Sequence, residues 1–130
     1  MNKTILKPTE SELKILKVIW EKGPVTVKDV NEELSVESKK DVGYTTTLKL
    51  MQIMAVKGLL TRSKKGRMHV YNSVIQQDDT QKFMLDKLVN NLFSGSTSSL
   101  VMQALGNHKT SKEELDKIKK YIEKLEGGEK

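Results

Sequence analysis

Residues 39–73 read KKDVGYTTTLKLMQIMAVKGLLTRSKKGRMHVYNS, and the fold turns on this stretch. Tyr44, Leu48, Met51 and Ala55 recur at spacings of four, three and four, which is one face of a 3.6-residue helix. Leu50, Ile53 and Met54 widen that apolar stripe. Thr45, Thr46, Lys49 and Gln52 form a polar face, and Gly58 supplies a left-handed cap that ends the helix. Two β-prone runs follow, 59–63 and 67–71, joined by a turn at Lys64-Lys65-Gly66. They predict a hairpin with a basic tip. A helix with a polar face beside such a hairpin suits a duplex: the helix enters the major groove and the hairpin lies along the backbone.

Upstream, Thr9-Glu10-Ser11-Glu12 has the form of a capping box. The helix it starts carries Leu13, Leu16, Ile19 and Trp20 at helical spacing, with Ile15 and Val18 filling in, and Gly23-Pro24 stops it. Trp20 reads as a core anchor. Thr26 caps a second helix over 27–34 that turns Val27, Val30 and Leu34 inward, and a polar link over 35–42 leads to the third. Val25 is placed to pair briefly with the hairpin. Two short helices, a third, then a hairpin is the order of a winged helix-turn-helix, here expected over residues 1–75.

The charge is uneven. The 130-residue chain has a net charge of +6, with 14 bases and 8 acids in residues 1–75 but nine of each in residues 76–130. Between 39 and 67 lie Lys39, Lys40, Lys49, Lys57, Arg62, Lys64, Lys65 and Arg67, against the single acid Asp41. A basic patch that coincides with the helix and hairpin is an electrostatic footprint for phosphate. The residues expected to meet DNA are Lys39, Lys40, Tyr44, Thr45, Thr46, Lys49, Arg62, Lys64, Lys65 and Arg67. The plainer alternative is a solvated lysine-rich face.

Residues 76–130 read as helices. One begins near Asp78, with a stripe of Met84, Leu85, Leu88, Val89, Leu92 and Phe93, and Ser94-Gly95-Ser96 breaks it. A short helix over 97–105 ends at Gly106. Ser111-Lys112-Glu113-Glu114 is a second capping box, and its helix sets Leu115, Ile118, Ile122 and Leu125 in a narrow seam. These stripes exceed what so few residues can bury among themselves. A dimerisation unit using Leu88, Leu92, Leu100, Leu115, Ile118, Ile122 and Leu125 is therefore expected, packing on the first unit being the alternative. The fold class is mainly α: a winged helix-turn-helix with a small hairpin wing, then a helical dimerisation unit. The tail over 126–130 is expected to lack structure.

No cysteine is present, so disulfides and thiolate metal sites are excluded. His69 and His108 fall on different predicted units with no carboxylates at ligand spacing, so neither a metal nor another cofactor is expected. Asp78-Asp79 and Glu113-Glu114 suit helix first turns better than acid/base pairs. With no phosphate-binding Gly loop and no nucleophile context, an enzyme is not expected. The start of the chain lacks a signal-peptide core, and no apolar run approaches the ~20 residues that span a bilayer, so a cytoplasmic protein without membrane insertion is expected.

The chain resembles the BlaI/MecI penicillinase-repressor family of bacterial transcriptional regulators over about residues 6–125. The resemblance rests on PTESELKILKVIWEKGPVTVKDV at the start, YTTTLKLMQIMAVKGLL at the third helix, GRMHVY on the second wing strand, and LFSGS, LVMQAL and SKEELDKI in that order. It implies a homodimer whose winged helices bind a palindromic operator and whose C-terminal unit dimerises. Release by proteolysis coupled to a membrane sensor metallopeptidase is implied too. By position, Thr45, Thr46 and Lys49 fall where the family's recognition helix meets DNA, and Arg67 sits at the wing. The missing cysteines exclude the copper-responsive branch, which carries a C-terminal cysteine motif. Several members are cut at an Asn-Phe bond in the penultimate helix, where this chain has Gln103-Ala104. Two other functions fit the same residues: a ligand-responsive winged-helix regulator without proteolytic release, and an interaction module whose basic region binds an acidic protein.

Overall fold

Thr9 opens the first helix of the computed structural model, which describes residues 7–128. Its hydroxyl accepts the Glu12 N–H at 3.1 Å and Glu12 Oε1 accepts the Thr9 N–H at 2.9 Å, closing the expected capping box. Helix α1 (Glu10–Lys22) buries Ile15, Leu16, Val18 and Ile19 and ends at Gly23 with φ 83°. Trp20 is half-buried. Its indole N–H donates to the Ile75 carbonyl at 3.1 Å and to Ser73 Oγ at 3.3 Å, tying the chain that leaves the hairpin back to α1.

Helix α2 (Val27–Ser38) starts at a second capping box, Thr26 with Asp29, and buries Val27 and Val30. It runs past residue 34, where the polar composition suggested an end. Nothing between Ser35 and Ser38 breaks a helix, and the stop is Lys39, held in the left-handed region at φ 60°. The link to the next helix therefore shrinks to residues 39–43.

Helix α3 (Tyr44–Lys57) is capped by Gly43 and closed by left-handed Gly58, as its sequence suggested. Its buried side differs from the apolar stripe. Thr47, Met51 and Met54 face the core, Leu48, Leu50 and Ala55 pack at its margin, and Tyr44 and Ile53 are exposed. A threonine can occupy the centre because its hydroxyl is satisfied there, accepting from Asn31 Nδ2 at 3.0 Å and donating to the Gly43 carbonyl at 3.3 Å.

Strands β1 (Leu60–Lys65) and β2 (Met68–Ser73) pair antiparallel, from Leu60 with Ser73 to Lys65 with Met68. The turn is Gly66-Arg67 and starts two residues later than expected, so Lys64 and Lys65 belong to the strand and Arg67 to the turn. Gly66 stands at φ 65° in the first turn position, where a two-residue hairpin loop of type II′ requires a positive φ. Val25 adds the expected bridge: the Tyr71 N–H donates to its carbonyl at 2.7 Å and its own N–H donates to the Tyr71 carbonyl at 3.0 Å. Tyr71, Leu59 and Leu60 complete the core formed by α1, α2 and α3.

Three further helices follow: α4 (Gln77–Leu92), α5 (Thr97–Asn107) and α6 (Lys112–Glu126). Ser94 at φ 51° and Gly95 at φ 82° turn the chain after α4, and Phe93 lies in that break rather than on the helix. Ser96 caps α5, and Ser111 with Glu114 forms the anticipated capping box of α6. Glu126 is the last residue of α6 and Gly127 its cap, so these two residues of the tail expected to lack structure belong to the helix and its end. Glu129, Lys130 and residues 1–6 lie outside the described residues, including the N-terminal stretch in which no leader was read. The chain divides into two compact units, residues 1–85 and 86–130. In the second, no described side chain is buried, and Leu92, Met102, Tyr121 and Leu125 are among its exposed apolar residues.

Candidate nucleic-acid interface

Helix α3 is fastened at both ends by polar contacts. At its start, Asn31 Nδ2 on α2 donates to the Val42 carbonyl at 2.8 Å as well as to Thr47, and Ser35 Oγ accepts the Val42 N–H at 3.0 Å. These bonds fix the 39–43 link and hence the direction in which α3 leaves it. At its end, Lys57 Nζ meets Glu12 Oε2 at 2.6 Å. Glu12 is buried. Desolvation pushes its carboxyl up, but the Lys57 ammonium and the two Thr9 hydrogen bonds outweigh that and hold it below the usual carboxylate range.

Successive residues turn about 100° around a helix. With Thr47, Met51 and Met54 inward, Thr45, Lys49 and Gln52 project away from the core, and all three are exposed. Thr46 stands to one side and shares a shallow hollow with Ser11, Thr45, Lys49, Leu50 and Ile53. Tyr44, Leu48 and Gln52 line the other edge of α3, facing Arg62 and Arg67 of the hairpin across a groove.

Paired residues of an antiparallel hairpin share a face, and faces alternate along each strand. Leu60, Arg62 and Lys64 therefore lie with Ser73, Tyr71 and His69. The root of that face, Leu60 and Tyr71, is buried in the core. Its continuation towards the tip is basic and exposed. Lys65 points to the opposite face, and Arg67 sits in the turn.

The fold thus gathers Tyr44, Thr45, Thr46, Lys49, Arg62, Lys64 and Arg67 around α3 and the wing. Lys39 and Lys40 lie in the link before α3, with Lys39 capping α2. All ten expected contacts are exposed. Ion pairs among the described residues include Lys22 with Glu33, Lys57 with Glu12 and Lys82 with Asp78. None involves the bases just named, so their charge is left for an external anion. Lys57 leaves the basic patch, because Glu12 neutralises it. Sequence reasoning missed Asn31 and Ser35, whose partners are distant in sequence, and Lys28 and His69, which join the groove only through the packing of α2 and the hairpin. Capping-box geometry gave Glu12 one role and hid the other.

No group of three His, Cys, Asp or Glu among the described residues could hold a metal ion. No described helix is long and apolar enough to cross a membrane.

The family description "Penicillinase repressor" matches residues 8–124. The chain belongs to the penicillinase repressor family. Relatives of this repressor span its length. It is 29% identical to the penicillinase repressor of Bacillus licheniformis over 122 residues, covering 93% of each chain. Against the methicillin resistance regulatory protein MecI of Staphylococcus aureus (strain N315), identity is 23% over 116 residues, 89% of this chain and 93% of the relative. The transcriptional regulator BlaI of Mycobacterium tuberculosis shares 28% over 119 residues, 90% of this chain and 83% of its own. Members of the family are transcriptional repressors, not enzymes. The solution structure of the DNA-binding domain of the repressor BlaI superposes with a TM-score of 0.50 at 31% identity, covering 60% of this chain and 93% of that one. A MarR family protein from Bacillus stearothermophilus matches with a TM-score of 0.50 over 90% of this chain and 76% of its own, and at 17% identity shares the fold alone. The winged-helix architecture is thereby borne out.

Proposed function

We propose that this repressor acts as a homodimer on a palindromic DNA operator, with α3 in the major groove and the hairpin along the phosphate backbone. The observation that carries the reading is the union of an exposed polar helix face (Thr45, Lys49, Gln52) with wing bases that have no internal counter-ion. Thr45 and Thr46 offer hydroxyls and methyls to base edges, and Lys49 reaches guanine or phosphate. Lys39, Lys40, Arg62, Lys64, Lys65 and Arg67 hold the backbone. Two copies join through α4–α6, where Leu88, Leu92, Ile122 and Leu125 are exposed and Leu100, Leu115 and Ile118 only half-buried within one chain. Domain limits of 1–75 for DNA binding and 76–130 for dimerisation, and a cytoplasmic location, belong to the same reading.

Release comes from a cut in or beside α5, made in response to a membrane sensor metallopeptidase. The left-handed Ser94-Gly95 turn before α5 and the exposure of Gln103 and Ala104 within it support this. The cut separates the α6 seam from the DNA-binding unit, and affinity falls because the two half-sites lose their link.

A ligand-responsive regulator is the second reading. A hollow of about 270 Å³ lies behind the start of α3, lined by Lys14, Leu34, Glu37, Val42, Thr46 and Leu50 among others. Selection of a bound duplex from a random pool tests the main reading, with Thr46→Ala as the diagnostic variant. A base-reading contact is worth about 1–3 kcal/mol at one operator position. A Thr46→Ala protein with unchanged affinity and base preference refutes the docking. Inducing cells that hold both repressor and sensor, then weighing the repressor by mass spectrometry, decides release: an intact chain that leaves its operator favours the ligand.

A further inference from the structure

The groove between the start of α2, the hairpin-facing edge of α3 and the wing holds more donors than the contacts assigned above use. Its volume is about 440 Å³, and Lys28, Tyr44, Gln52, Arg62, Arg67 and His69 line it. Each carries a hydrogen-bond donor, three are cations at neutral pH, and no carboxylate is among the lining residues. The acid next to Lys28 in sequence, Asp29, is not among the lining residues, and its Oδ2 accepts the Thr26 N–H at 3.0 Å. Lys28, Arg62 and Arg67 have no ion pair among the described residues. Like charges converging on one hollow repel, and an anion seated between them relieves the repulsion.

We propose that this groove is a phosphate-positioning site, in which Lys28 of α2 closes with Arg62 and Arg67 of the wing on one backbone phosphate of the duplex. The proposal rests on the duplex-binding reading above and adds to it a contact from α2. A phosphate contact carries no sequence information but fixes register. Tyr44 and Gln52 line the same groove, so a phosphate held there sets how deeply the outward face of α3 meets the base edges.

The test compares the full-length protein with Lys28→Gln and Lys28→Arg on a duplex selected by the wild type and on a scrambled one, across a salt series. Lys28→Gln weakens both duplexes alike, by about tenfold for one lost charge-assisted contact. It flattens the slope of log affinity against log salt by about one unit per bound protomer. Lys28→Arg keeps the wild-type slope. In a series of selected duplexes with single phosphates replaced by neutral methylphosphonate, one position weakens the wild type and weakens Lys28→Gln less, because Arg62 and Arg67 still meet that phosphate in the variant. Unchanged affinity and slope in Lys28→Gln, or a loss confined to the selected duplex, overturns the phosphate site while wild-type binding leaves the duplex reading standing. A wild type that binds no duplex overturns both.

Discussion

Glu12 and Lys57 join the first turn of α1 to the last turn of α3 through a 2.6 Å contact between a buried carboxylate and a partly exposed ammonium. The same carboxylate closes the α1 capping box through the Thr9 N–H. One side chain therefore fixes the start of the fold and the far end of α3.

Lys57→Met leaves that carboxylate buried beside an apolar chain. We expect a loss of roughly 1–3 kcal/mol in urea unfolding, less than for a fully enclosed pair because water reaches the lysine. The pH dependence has a definite sign. Glu12 titrates lower in the folded state than in the unfolded chain, so its contribution is complete above the ordinary value of 4.5 and drains away as pH falls through the depressed folded value. Asp29, lowered by the Thr26 hydrogen bonds, adds to the loss below its ordinary 3.8. Between pH 7 and acid, Lys57→Met should therefore lose stability less steeply than the wild type; an equal slope would mean the pair does not govern Glu12.

Asn31→Ala removes the donor to the Val42 carbonyl in the 39–43 link and the donor to the Thr47 hydroxyl on α3. The Val42 carbonyl then depends on water, and the stability cost is about 1–2 kcal/mol. The larger effect should fall on recognition: with α3 free to shift at its start, affinity for a selected duplex drops while affinity for scrambled DNA stays. Paired binding isotherms check this, and a uniform loss on both duplexes would contradict it.

Lys64→Gln should weaken every duplex alike and lower the salt slope by about one unit per bound protomer, because Lys64 lies on the basic continuation of the buried Leu60–Tyr71 face. Folding should be untouched, since the side chain is exposed. A loss seen only on the selected duplex would make the wing a base reader.

Ile122→Asp with Leu125→Asp places two carboxylates on the exposed apolar side of α6. Sedimentation equilibrium of the full-length protein should shift from dimer to monomer, and palindrome binding should weaken by orders of magnitude as effective concentration is lost. A stable dimer in this variant would move the interface off α6.

Much of the local structure was written in the chain. Thr9, Thr26 and Ser111 announced helix starts because a cap needs only an oxygen and amides within three residues of it. Gly58 and the β-prone run around Tyr71 likewise act over a few residues. The apolar stripe of α3 was misplaced because hydrophobicity alone ranks Tyr44 and Ile53 above Thr47. The hydrogen bonds that make Thr47 acceptable in the core come from Asn31 and from the backbone of Gly43.

The sequence by itself determined the order of elements, the caps, the basic character of residues 39–67 and the family, since each depends on neighbours in the chain or on patterns along it. The tertiary structure decided which bases stay available and which are consumed. Lys57 lies 45 residues from the acid that neutralises it, and Lys28 joins Arg62 and Arg67 only because α2 and the hairpin pack against the same helix. Those outcomes depend on distances through space, which hydrophobic burial sets when the core of Leu16, Val30, Met51 and Tyr71 closes.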